Sequence, residues 1–250
     1  MPSLALIGVV TSLAIAGQAQ AQTKNDRKEG FYLSATAGAD FLNDSDFTGT
    51  QNPDPGVPGT AGAPADVNVG YDTGFALRGA VGYQLKQGLI SFLKPRLELE
   101  VGYAQSDVSG GSFNGGTQSF SGDLSKLTVT AAAYSDIIWS DNQSIVPYFG
   151  SGIGIAVVDA DIGYFPAGGA ATAPTFGVRG SPTGLVTFNA IGATVKASER
   201  FDVFAEGRYT NVRRRNFDRR FIAGGADGFS ARLRDDTESF GVGIGVRAKF

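Results

Sequence analysis

The sequence predicts an all-β protein, a closed eight-stranded antiparallel up-and-down β-barrel that crosses a membrane. Three observations predict it. Composition favours strand and turn residues, with 36 Gly, 18 Phe and 8 Tyr against one Met and one Trp in 250 residues. Apolar residues recur at every second position in eight separate stretches. The connections between those stretches alternate long and short, the rhythm of a transmembrane barrel with tight turns at one end and large loops at the other.

The chain opens with LALIGVVTSLAIA at residues 4–16, an apolar run too short for a spanning helix, which takes about 20 residues. Ala19-Gln20-Ala21 behind it is the small-x-small pattern of a signal-peptidase site. Residues 1–21 therefore read as a signal peptide for export, although Met1-Pro2-Ser3 lacks the usual basic residue. Residues 22–29 form a polar tether, and the barrel occupies 30–250.

The first strand is Phe31 to Phe41, with Phe31, Leu33, Ala35, Ala37, Ala39 and Phe41 on one face. A long Asp/Pro/Gly-rich loop over 42–70 leads to the second, Tyr71 to Leu85, where Phe75, Leu77, Val81 and Tyr83 oppose Asp72, Arg78 and Gln84. A link at 86–95 precedes the third, Arg96 to Ser106, with Leu97, Leu99, Val101 and Tyr103 opposite Arg96, Glu98 and Glu100. A Gly/Ser-rich loop over 105–125 follows. The fourth strand, Lys126 to Ile137, sets Leu127, Val129, Ala131 and Ala133 against Lys126, Tyr134 and Asp136.

WSDNQS at 139–144 is a short turn, and the fifth strand, Ile145 to Val157, alternates Phe149, Ile153 and Ile155 with glycines. A Gly/Ala/Pro-rich loop over 159–184 leads to the weakest strand, Leu185 to Ala197, where Phe188 and Asn189 break the pattern. After the tight Ser198–Arg200 turn comes Phe201 to Thr210, with Phe201, Val203, Ala205 and Tyr209 opposite Asp202, Glu206 and Arg208. A loop over 211–238 precedes the last strand, Phe240 to Phe250.

Alternation alone also fits a soluble barrel or sandwich. The composition of the second face decides between them. That face is crowded with small residues such as Gly150, Gly152, Gly154, Gly192, Gly241, Gly243 and Gly245, which suit a narrow lumen and not a surface in water. It also carries charges of both signs, Arg78, Arg96, Glu98, Glu100, Lys126, Asp136, Glu206, Arg208 and Arg247, which form a candidate lumen charge network. The apolar face carries no charge, as a lipid-facing surface demands. Aromatic residues at strand ends, Phe31, Phe41, Tyr71, Tyr83, Tyr103, Phe201, Tyr209 and Phe250, read as interfacial girdles. Because unpaired backbone is costly in hydrocarbon, the first strand is expected to pair with the last.

The chain has no Cys and no His, which excludes disulfides, thiolate sites, His-ligated zinc and His-dependent catalytic triads. A net charge of -3 gives no field for nucleic acid. No enzyme activity, cofactor or metal is expected. GSGIG at 150–154 lacks the strand–helix context of a dinucleotide fingerprint and reads as a glycine file. Glu98 and Glu100 share a face, yet the neighbouring Arg96, Arg78 and Arg208 make an ion-pair network the better reading than a carboxylate pair for hydrolysis. Asp44, Asp46, Asp54 and Asp66 lack EF-hand spacing.

Four segments, PRLELEVGYAQSDV at 95–108, VPYFGSGIGIAVVD at 146–159, FDVFAEGRYTNV at 201–212 and FGVGIGVRAKF at 240–250, resemble the eight-stranded bacterial outer-membrane β-barrel family. That family includes outer-membrane protein A barrels, opacity-like proteins and small porin-like surface antigens of Gram-negative bacteria. The resemblance implies residence in the outer membrane among lipid and lipopolysaccharide, and either a structural and surface-interactive role or a narrow channel for small solutes. It also implies that Phe240, Val242, Ile244, Val246, Ala248 and Phe250 form the signal read by the barrel-assembly machinery. The run Arg213, Arg214, Arg215, Arg219 and Arg220 reads either as a site for lipopolysaccharide phosphates, or an acidic host or matrix ligand, or as a solvated basic loop.

Overall fold

The computed structural model describes residues 29–86, 92–140, 142–166 and 173–250. The expected signal peptide lies outside the described residues, as does the tether apart from Glu29. The described residues contain eleven strands: β1 (Gly30–Leu42), β2 (Ser45–Gln51), β3 (Val67–Tyr71), β4 (Gly74–Gln84), β5 (Leu93–Phe113), β6 (Gly116–Ile137), β7 (Ile145–Pro166), β8 (Phe176–Gly180), β9 (Thr183–Lys196), β10 (Phe201–Phe221) and β11 (Gly228–Lys249).

They build two closed rings stacked on one axis. In the first, β1, β4, β5, β6, β7, β9, β10 and β11 pair in turn, and β11 returns to β1 with Tyr32 opposite Lys249 and Phe41 opposite Phe240. In the second, β2, β3 and β8 replace β1, β4 and β9, each continuing the wall after a two-residue break. The five uninterrupted strands run 21 or 22 residues. A tilted strand crosses hydrocarbon in about 9–11 residues, so roughly half of each projects beyond a bilayer.

The predicted long loops are therefore largely wall. The stretch 42–70 contains β2 and β3; 159–184 contains the end of β7 and β8; 105–125 and 211–238 are hairpins. The β5–β6 turn is Asn114-Gly115, both at positive φ, the two-residue geometry whose twist matches the flanking strands. These stretches lack greasy outward residues because they stand in water.

The chemistry of the two faces exchanges between the rings. Along β11, Phe240, Val242, Ile244 and Val246 point outward and are exposed. Further along the same strand the outward positions are Arg232, Arg234 and Asp236, while Ala231 and Leu233 are buried inside. Strand β7 does the same, passing from outward Phe149, Ile153 and Ile155 to outward Asp159 and Asp161 with inward Val158, Ala160, Ile162 and Tyr164. One ring is apolar outside and polar inside; the other is the reverse. The outward apolar belt, with Ile191 70% exposed, meets lipid, because no soluble surface carries a contiguous band of this size. From Phe240 to Phe250 the belt rises about 25 Å, the height of a hydrocarbon core.

Aromatic residues edge the belt. Tyr209, Phe240 and Phe41 are direct cross-strand partners at one rim, and Phe31, Phe201 and Phe250 stand at the other. Tyr71 does not belong to this girdle: it precedes the break between β3 and β4 and packs inward against the apolar core. Phe188 and Asn189 do not interrupt β9 either. Phe188 is an inward aromatic and Asn189 an outward residue hydrogen-bonded to Ser151.

Candidate functional site

Among the described residues, charged and aromatic side chains converge in the bore, which is filled level by level. Nearest the termini, the Arg96 guanidinium lies between the rings of Tyr134 and Tyr148, 4.4 Å from each centroid. Its Nε donates to Glu98 Oε1 at 3.0 Å and its Nη1 bonds Asp136, while the Tyr32 hydroxyl donates to Glu98 at 2.6 Å. Arg247 and Lys249 flank Asp202 at 3.8 and 2.8 Å.

One level further in, Arg208 grips Glu100 with both terminal nitrogens, at 2.7 and 3.1 Å, and donates through Nε to Glu206 at 3.1 Å. Its guanidinium sits 3.7 Å over the Phe188 ring and also donates to the Tyr134 hydroxyl, which itself donates to Glu100 at 2.6 Å. Arg78 reaches Glu206 at 2.8 Å. Above them Lys126 donates to Asp40 at 2.7 Å and to Ser239 at 2.6 Å.

All nine charges expected in the lumen are brought together here. Asp40, Asp202, Lys249, Tyr32, Tyr134, Tyr148 and Phe188 complete the network. Their signal was parity, since Asp40, Asp202 and Tyr134 occupy lumen positions on their strands; nothing in the sequence marks an inward ring as the partner of a cation. Six cations, Arg78, Arg96, Lys126, Arg208, Arg247 and Lys249, pair with six carboxylates, Asp40, Glu98, Glu100, Asp136, Asp202 and Glu206, while Lys94 and Lys196 lie half-buried on the same face at the end of the bore near the termini. An ion-paired, hydrogen-bonded network tolerates burial that a lone charge would not. A cavity of about 60 Å³ beside Thr36, Lys126 and Arg208 leaves room for only a few waters.

At the junction of the rings lie Arg215 and Asp235, cross-strand partners on β10 and β11. Arg215 is 2% exposed; Nη2 bonds Thr237, while Nε and Nη1 make no hydrogen bond. Burial pushes the Asp235 carboxyl up to about 6 from 3.8, against the opposing pull of Ser45 and Arg215, and lowers the Arg215 guanidinium to about 10. A carboxyl raised on folding lends stability that is complete below its unfolded value of 3.8 and lost as pH rises through about 6. Unfolding in urea from detergent micelles should thus show the wild type losing up to about 3 kcal/mol between pH 4 and 8, and Asp235→Asn a flatter profile.

Beyond the junction the second ring is apolar within, packed by Phe47, Val67, Val69, Leu124, Ile162 and Phe217 among others. Its far end is capped by aromatic rings around one cation. Arg219 lies 4.3 Å from the centroid of Phe113 and 3.8 Å from that of Phe176, donating to the Tyr164 hydroxyl and to Ser230. Phe120 stacks on Tyr164 at 4.9 Å.

The arginine run is thereby divided. A bulge between Val212 and Arg215 shifts the register of β10 and inverts its facing, so Arg215 and Arg219 point into the bore. They do not belong to any surface cluster. Arg213 is exposed, and Arg220 is half-buried and tied to Asp227. The Arg214 side chain lies outside the described residues. The run is strand, not loop, because its alternate members are Val212, Arg215, Phe217 and Arg219, all packed inside.

No family model matches the chain, and no curated protein matches it. Among solved structures it is similar to the outer-membrane protease OmpT of Escherichia coli, with a TM-score of 0.53 and 9% identity over 90% of this chain and 99% of that one. Lower overlap is found with Neisserial surface protein A (TM-score 0.45, 16% identity, 88% and 97% covered) and with OprG of Pseudomonas aeruginosa (TM-score 0.47, 13% identity, 89% and 98% covered). At such identities the likeness establishes the fold, that of outer-membrane β-barrels, and nothing about activity.

Proposed function

We propose that the chain is an integral outer-membrane protein whose sealed barrel serves the integrity of the envelope and holds a rigid collar of strands and loops at the cell surface. The observation that carries this reading is the filling of the bore, apart from one small cavity, by an ion-paired network, an apolar core and an aromatic cap around Arg219. Such a bore lacks the wetted path that conduction requires. The competing role, a narrow channel, is decided by single-channel recording on barrels refolded into planar bilayers. Current at the level of the bare membrane is expected; reproducible conductance steps would establish the channel instead.

The collar faces outward and the short turns face the periplasm. Arg213 and Arg234 stand exposed on the collar beyond the lipid belt, with Arg232 beside them paired to Asp218, and take the place of the buried Arg215 and Arg219 as partners for lipopolysaccharide. The loops beyond them are available to a host or matrix ligand. The terminal strand, from Phe240 to the exposed Phe250, presents the assembly machinery with its signal. Outer-membrane fractions test both assignments. Deleting Phe250 should lower the yield of barrel, whereas Gln at 213, 232 and 234 should leave yield intact and reduce the lipopolysaccharide bound per barrel.

No catalytic role is assigned. OmpT is a protease, but the carboxylates buried in this bore are held by arginine and tyrosine, and the chain has no histidine.

A further inference from the structure

The outward belt of the lipid-embedded ring is apolar or glycine over most of its area, but a polar pair stands at its middle. The Ser151 hydroxyl on β7 donates to Asn189 Oδ1 on β9 at 2.9 Å, and both side chains are exposed among Phe149, Ile153 and Ile191. Cross-strand pairing fixes their depth. The row of partners that starts at Phe41, on the rim beside the collar, passes through β11, β10 and β9 by way of Phe240, Tyr209 and Asn189 to Ser151 on β7. From there it continues through β6, β5 and β4 to Phe31, on the rim near the termini. Tilted strands make such a row descend evenly, so Ser151 lies half-way down the belt and Asn189 one strand higher.

Hydrocarbon offers no hydrogen-bond partner, and a polar group exposed to it is costly unless paired. Ser151 satisfies one end of the Asn189 amide. Whichever way that amide is turned, its other end meets no partner among the described residues. We infer that the face around Asn189, formed by β6, β7 and β9, packs against a second copy of the chain within the bilayer. Acyl chains carry neither donor nor acceptor at that depth, and a soluble protein does not reach it. A two-fold axis along the bilayer normal brings Asn189 of both copies to one level, where each side-chain amide donates to and accepts from the other. The outward neighbours Ala131 and Ala133 on β6 and Ala205 on β10 are small, so two walls can approach closely. Small residues alone do not make the face: Ala35, Ala37 and Ala39 on β1, four strands away on the opposite wall, have no polar group among them. The inference rests on the lipid belt and is independent of whether the bore conducts.

Energy transfer between copies in phosphatidylcholine vesicles tests it, with donor and acceptor dyes on Ser121→Cys, an exposed collar position in a chain that has no other cysteine. Transfer that depends on the protein-to-lipid ratio as a dimer requires is expected. Asn189→Leu should raise the dissociation constant about tenfold, whereas Asn189→Gln, which keeps the amide, should bind as the wild type does. Ala133→Trp should abolish transfer and Ala37→Trp should leave it. These side chains all point away from the bore, and the heat-resistant compact band on gels verifies the fold of each variant. Transfer no greater than random proximity gives would overturn the inference, as would full affinity in Asn189→Leu or equal loss from the two tryptophans. In intact outer membranes a photoreactive side chain at 133 should cross-link to a second copy; cross-linking to a different protein, or to lipid alone, would also overturn it.

Discussion

Replacing Arg208 with Met should destabilise the barrel by about 3–5 kcal/mol, the cost of leaving buried carboxylates without their cation. Arg208 spends every donor group on the network: two nitrogens on Glu100, one on Glu206, and a share on the Tyr134 hydroxyl. Glu206 keeps Arg78 and Tyr148 as partners, but Glu100 is left with hydroxyl donors alone from Tyr134 and Thr130. Methionine fills the same slot over Phe188, so the loss reports charge and not a hole. Urea unfolding from vesicles measures it. Adding Glu100→Gln should return part of the stability, because the second change removes the stranded charge; strict additivity of the two would show that they do not interact. Arg208→Lys should fall between, since an ammonium cannot reproduce the two-point grip.

The second large effect is expected at Gly245→Val. A Cβ there would lie 2.7 Å from the Ala35 carbonyl oxygen and from Phe204 Cε1, with the ring's Cζ closer still. The phenyl ring is boxed in against Tyr148 and Arg247, and the carbonyl belongs to the backbone of β1, so neither yields cheaply. The strain therefore falls on the β1–β11 seam, where Thr36 is the partner of Gly245, and that seam is the closure of the lipid-embedded ring. Overpacking of this kind costs about 1–3 kcal/mol in a soluble core and more where it parts strands in lipid. Loss of the heat-resistant compact band on gels reports the failure. At Gly241 the nearest atom to a Cβ is 3.5 Å away, so Gly241→Ala should be tolerated.

The lipid-embedded half was legible because there the sequence speaks in one code. Outward residues must be apolar and inward ones small or charged, so Leu97, Leu99 and Val101 against Arg96, Glu98 and Glu100 already gave strand, facing and closure. The second ring was not legible because the same parity carries the opposite chemistry. Val158, Ala160 and Ile162 are greasy on the side where the belt has glycines, so Asp159 to Gly184 read as loop. Rigid strands with polar outer faces have no hydropathy signal to separate them from water-exposed loops. The arginine run failed for a narrower reason. Without the bulge after Val212, the odd-numbered Arg215 and Arg219 would share the outward face of Phe201, Ala205 and Tyr209, and nothing in RRRNFDRR marks an inserted residue.

The inversion of faces between the two rings is tested most directly by spin labels placed singly along β11, a chain without cysteine being suited to the purpose. In lipid vesicles, labels at 240, 242, 244 and 246 should relax with oxygen dissolved in the bilayer, while labels at 232, 234 and 236 should relax with a water-soluble nickel complex. Oxygen-dominated relaxation at 232–236, or nickel access at 242–246, would contradict a lipid belt beneath a water-facing collar.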